Sequence, residues 1–178
     1  MNDLNQFKNN GFLVKKNLIT QKEINKINKV VNEVISKEKE RKRSNNQNGT
    51  QSYDNYHFVY NSSSSKDKEI LRLNNPQNRH KIFYQLSRNK RIISIAKKLL
   101  GGTVRFHLGK LNFKLPNKKK GSEIGWHQDW AFYPHTNDDL ITVGIYLDDC
   151  YDKNGPLKII KNSHKKNCTV TTIKKITL

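Results

Sequence analysis

The 178-residue chain reads as an α+β protein, with helices in its first hundred residues and an antiparallel strand series after them. Three observations predict that order. Thr20 with Glu23 three residues on is a capping-box pattern, and Ile24, Ile27, Val30, Val31, Val34 and Ile35 follow at helical spacing. A second apolar stripe, Ile92, Ile93, Ile95, Ala96, Leu99 and Leu100, runs into Gly101-Gly102, the residue type that ends helices. Beyond it the period shortens to that of a strand, with Ile141, Val143, Ile145 and Leu147 on one face.

Taken in order, Gly11 to Ile19 is a short strand or extended lead-in to the helix that Thr20 caps. The polar run from Ser36 to Ser52 has no apolar periodicity, and the stretch 36–66, ending in SSSSK, reads as a mobile loop or linker inside one domain. Tyr56 to Tyr60 is a strand candidate within that stretch. Pro76 is placed to open a second helix reaching Leu86, and a third spans Asn89 to Leu100. Strands are then expected at Val104 to Pro116, Gly125 to Phe132, Ile141 to Asp149, Leu157 to Ile160 and Cys168 to Leu178, with a turn at Asn154-Gly155. Such a series closes into a sandwich or barrel.

Composition narrows the function. Leu, Ile, Val and Phe supply 46 of 178 residues, above the roughly 20% at which disorder becomes the default. No apolar run approaches the ~18 residues of a membrane span, and the N-terminus has no signal-peptide core. Two cysteines, Cys150 and Cys168, exclude a disulfide scaffold and point to a reducing, cytoplasmic setting. The net charge of +19 comes from 27 Lys and only 7 Arg, alongside 23 Asn, 16 Ile and 2 Ala. That is the signature of A/T-rich codons, the lysines are scattered, and no RNA-binding or zinc-finger motif is present. The charge therefore argues for no nucleic-acid partner, and a small-molecule substrate is the expectation; oligomeric state is left open. Residues 127–155 resist the bias, with six aspartates against one lysine.

The chemistry-bearing residues are Trp126-His127-Gln128-Asp129-Trp130. On a strand, His127 and Asp129 project from one face and can take adjacent positions on a metal ion. With a second histidine they would form the facial triad of non-haem Fe(II) oxygenases. With 6 His in the chain, chance alone gives ~0.3 His-x-Asp occurrences, so the tripeptide is weak by itself.

Its surroundings are more specific. LNFKLP, then GWHQDWAFYP, then DDLITVGIYLDDCYDKNGPLKIIKNSHK resembles the phytanoyl-CoA dioxygenase family of Fe(II)/2-oxoglutarate oxygenases. FKNNGFLVKKNLIT and the LLGG helix end are similar to the family's opening, so the resemblance covers residues 4–166. It implies a cupin-like double-stranded β-helix, or jelly roll, after the N-terminal helices. It also implies Fe(II) held by His127 and Asp129, with 2-oxoglutarate and O2 consumed in hydroxylating a small or acyl-type organic substrate. Gln128 and the two tryptophans would support the site, and Lys114 matches a recurrent family lysine near the cosubstrate. The family's second histidine ligand and its 2-oxoglutarate arginine would fall beyond Leu178; His164 lies in the family's Ser-His-Lys turn, where the histidine is not a ligand. The expectation is thus one domain over 1–178, incomplete at its C-terminus. The alternative is a truncated remnant or non-enzymatic binding domain of the same fold.

Overall fold

The computed structural model describes residues 2–44, 57–60, 69–115, 124–137 and 139–166. Its helices precede and flank a small antiparallel sheet, an α+β arrangement. An unexpected first helix, α1 (Asp3–Asn10), is capped by the Asn2 side chain accepting from Asn5 N–H. It ends at Gly11, whose φ of +84° is the left-handed conformation that glycine adopts without strain. Residues 12–15 then form a lead-in with no strand pairing.

Helix α2 (Gln21–Ser44) opens on the expected capping box. Glu23 accepts from Thr20 N–H and from the Thr20 hydroxyl, both at 2.7 Å, and Thr20 Oγ1 accepts from Glu23 N–H. Glu23 also pairs with Arg91. These contacts hold its carboxyl below the ordinary value of 4.5, the Thr20 N–H being the largest cause.

The loop expected from Ser36 is corrected, because α2 continues to Ser44. The buried stripe Ile27, Val31 and half-buried Ile35 extends one turn further through Glu38, only 5% exposed. A glutamate looks like the end of an apolar stripe in sequence. Here its carboxylate is satisfied by the Tyr60 hydroxyl, which allows burial. The strand inside that stretch is present as β1 (His57–Tyr60). The rest of 36–66, the NKKKGS turn and the tail from Cys168 lie outside the described residues.

Strand β2 (Ile70–Asn74) pairs antiparallel with β1 and with β3 (Lys110–Asn112). Phe58, Leu73 and Leu111 share one face by register, and Leu73 is fully buried. Leu111 and Phe113 pack on the cluster Ile27, Val31 and Phe83, so this is the helix-covered face. Arg72, Asn74, Lys110 and Asn112 fall on the other. Only three residues of the expected 104–116 strand pair, those with a partner in β2.

The second expected helix is divided. Pro76–Asn78 make a single 3₁₀ turn, His80 returns to extended backbone, and its Nδ1 accepts from Ile82 N–H to cap α3 (Lys81–Ser87). Helix α4 (Lys90–Leu100) matches its expected bounds, from the Asn89 cap to Gly101 at φ +78°. Among the described residues, 141–149 and 157–160 form no strand. Val143, Leu157 and Ile159 are 49%, 67% and 48% exposed, so among the described residues the apolar alternation there has no neighbouring strand of the kind that a ladder requires. Asn28 Nδ2 donates to Leu147 O and anchors that segment on α2. No helix among the described residues is long and apolar enough to cross a membrane.

Candidate metal centre

His127 and Asp129 meet at the entry to a turn, not along a strand. Trp126 forms an isolated bridge, Gln128 is extended, and Asp129–Ala131 make one 3₁₀ turn. The Asp129 carbonyl accepts from Phe132 N–H at 3.0 Å and Tyr133 N–H at 3.1 Å. Those turn bonds replace the ladder expected across Gly125–Phe132 and bring Asp129 back toward His127.

Both side chains are held on their outer sides. His127 Nδ1 lies 2.7 Å from Gly125 O. A carbonyl only accepts, so Nδ1 donates its N–H there and Nε2 is the ring nitrogen turned to the carboxylate. Nε2 stands 3.3 Å from Asp129 Oδ1, with the two side chains 33% and 34% exposed. Asp129 Oδ2 accepts from the Thr142 hydroxyl, which leaves Oδ1 turned to the imidazole. Phe132 meets the imidazole edge-on, ring centroids 5.2 Å apart, and fixes its plane.

Two donor atoms each about 2.1 Å from a divalent ion and at right angles lie about 3.0 Å apart. The observed 3.3 Å is close to that spacing. Imidazole Nε2 beside a carboxylate oxygen at this spacing fits two adjacent positions on a first-row metal ion, to which Nε2 would present its lone pair. Among the described residues, no third histidine, cysteine or carboxylate joins them.

The other expected residues are placed as follows. Gln128 points away from the pair and donates to Ser163 O at 3.1 Å, while Trp130 Nε1 donates to Asn137 O at 3.0 Å. Both brace the loop. His164 is engaged elsewhere: its Nε2 lies 2.9 Å from Lys8 O, its ring covers Gly11, and Asn162 N–H donates to Asn10 O. The turn that carries Ser163 is thereby clamped to α1. His107 and His135 meet edge-on at 5.0 Å, and His107 also meets Tyr133. Lys114 lays its stem against Gly155, its Cδ 3.5 Å from where a side chain would begin. The free thiol of Cys150 is exposed.

Sequence reasoning missed Thr142 and the Gly125 carbonyl. A hydroxyl 13 residues beyond Asp129 has no spacing signature, and a backbone acceptor has no residue identity to read.

The chain is 39% identical over 113 residues to a probable alpha-ketoglutarate-dependent hypophosphite dioxygenase of Stutzerimonas stutzeri, a match covering 63% of this chain and 38% of that protein. It is 37% identical over 83 residues to the L-proline trans-4-hydroxylase of Streptomyces griseoviridis, covering 44% and 30%. With the ectoine dioxygenase of Streptomyces avermitilis it shares 36% over 89 residues, covering 47% and 29%. The chain thus spans well under half the length of these curated relatives. No solved structure matches it. The family match itself runs over residues 7–173, nearly the whole sequence and a span that includes His127 and Asp129, and the chain belongs to the phytanoyl-CoA dioxygenase (PhyH) family.

Proposed function

We propose that the protein is an Fe(II)/2-oxoglutarate-dependent dioxygenase acting on a small polar molecule, with His127 and Asp129 as two of three iron ligands. The observation that carries this reading is the pinned pair: Nε2 and Oδ1 3.3 Å apart, each with its other heteroatom already committed to Gly125 O or Thr142. Donors fixed in this way lose little freedom when an ion is taken up. Hypophosphite, L-proline and ectoine are named for the relatives, which supports a small substrate. The iron, when bound, supplies the oxidative chemistry with 2-oxoglutarate and O2.

This chain's residues do the positioning. His127 would offer Nε2 to the ion while its Nδ1–H donates to Gly125 O, Asp129 contributes the negative charge, and Thr142 keeps that carboxylate from rotating away. Gln128 on Ser163 O and the His164 contact with Lys8 O hold the loop to α1. The sheet and its helix-covered face would form one wall of a cupin-like double-stranded β-helix. The setting is cytoplasmic. Lys114, on the same alternating side as Lys110 and Asn112, is in reach of a cosubstrate carboxylate in such a barrel.

The test is turnover by the full protein with Fe(II), 2-oxoglutarate and O2, reading succinate. Succinate from the parent and none from His127→Ala is the expected result. A folded protein that binds no divalent metal and releases no succinate would establish a binding domain of the same fold instead.

A further inference from the structure

The face of the sheet turned away from the helices carries charge and a cleft. Asn74 pairs directly with Lys110 across β2 and β3, and Arg72 lies two residues along on the same face. These residues, with Asn75 and Tyr133, line an open cleft of about 320 Å³. Its far wall belongs to the donor loop, because Tyr133 N–H is bonded to the Asp129 carbonyl. Lys110 Nζ sits 4.5 Å from the Tyr133 ring centroid, which orients the ammonium over that wall.

Among the described residues, no carboxylate lines the cleft. Among the same residues Arg72 Nε, itself buried, has no hydrogen-bond partner, and no acid pairs with the guanidinium. A buried, unsatisfied donor on a charged group is costly, and proteins keep one where something supplies the acceptor. A solvated lysine face produced by codon bias would not bury a guanidinium nitrogen. Two cations and two amides on the sheet wall, facing a tyrosine on the other, match a planar or tetrahedral oxyanion.

We propose that this cleft holds the anionic end of the small-molecule substrate, a carboxylate or a phosphorus oxyanion, with Arg72 and Lys110 as its counter-charges. The inference rests on the dioxygenase reading above and deepens it by naming the substrate class: a compact molecule anchored by an oxyanion beside the donor loop.

The test uses the full metal-free protein with acetate, inorganic phosphate and 2-oxoglutarate as separate probes, followed by ¹⁵N NMR at the Arg72 Nε–H. Acetate or phosphate should saturate and shift that resonance. Binding should weaken about tenfold or more in Arg72→Gln and in Lys110→Gln. The Lys110 position is exposed, so that variant reports even if the Arg72 substitution perturbs folding. Non-saturating shifts, or saturation unchanged in Lys110→Gln, overturn the proposal. Occupation of the cleft by 2-oxoglutarate about tenfold more tightly than by either small anion also overturns it, because the cleft would then belong to the cosubstrate. Divalent-metal affinity is titrated separately on the same variants, so a failure of the iron reading and a failure of the cleft register in different measurements.

Discussion

Replacing Gly11 by alanine tests the clamp that joins α1 to the turn bracing the donor loop. Gly11 has φ +84°, and a Cβ there would stand 2.3 Å from His164 Nδ1, far inside contact distance. Two costs follow. An L-residue forced into the left-handed region costs about 1 kcal/mol. The His164 ring must also turn away, releasing its Nε2 bond to Lys8 O, which adds about 1 kcal/mol. The sum of about 2 kcal/mol corresponds to a melting temperature lower by about 4–8 °C for a chain of this size. Thermal unfolding of Gly11→Ala, His164→Ala and the double variant closes a cycle. In the His164→Ala background, Gly11→Ala should cost only about 1 kcal/mol, because the clash is gone and the backbone strain remains. An equal cost in both backgrounds would refute the contact and leave only the conformational penalty.

Three further outcomes are expected. Thr142→Val removes the hydroxyl that holds Asp129 Oδ2 and should weaken divalent-metal binding about tenfold or more; a Co(II) titration with unchanged affinity would rule that role out. The depressed pKa of Glu23 means that its capping contribution is fully present above the ordinary 4.5 and is lost as pH falls through the lower folded value. Glu23→Gln should therefore flatten the acid limb of melting temperature against pH in that window, and an acid limb identical to the parent's would contradict it. Leu73→Ala empties a fully buried site between the sheet and the helices and should cost about 2–5 kcal/mol in urea unfolding; a loss within error would mean that the strand does not form the core contact.

The legible parts of this fold are those written locally. Thr20 with Glu23, and Asn89 with Gly101, announce two helices because capping bonds join residues four apart or fewer. Length is less legible: α2 outruns its apolar stripe because Tyr60, from another element, satisfies Glu38. The strands of the second half are legible as alternation but not as ladders, since Ile141 to Leu147 needs neighbours to become a sheet. His127 and Asp129 are legible as a pair. Their arrangement is not, because a 3₁₀ turn, and not a strand, brings them together. The α1 helix escaped notice because none of its residues is buried and its cap is a single asparagine.

The bond from His127 to the carbonyl of Gly125 has one further consequence. The information that aims the imidazole resides in the path of the main chain, not in any side chain that selection could exchange. A Cβ on Gly125 would meet nothing within 4 Å, so the acceptor should survive substitution of its own residue. An alanine scan would score that position as silent, although it decides which nitrogen faces the Asp129 carboxylate. The site's aim is thus robust to point mutation yet fragile to a one-residue deletion between Gly125 and His127. Homologues could keep it while sharing no side chain at that position.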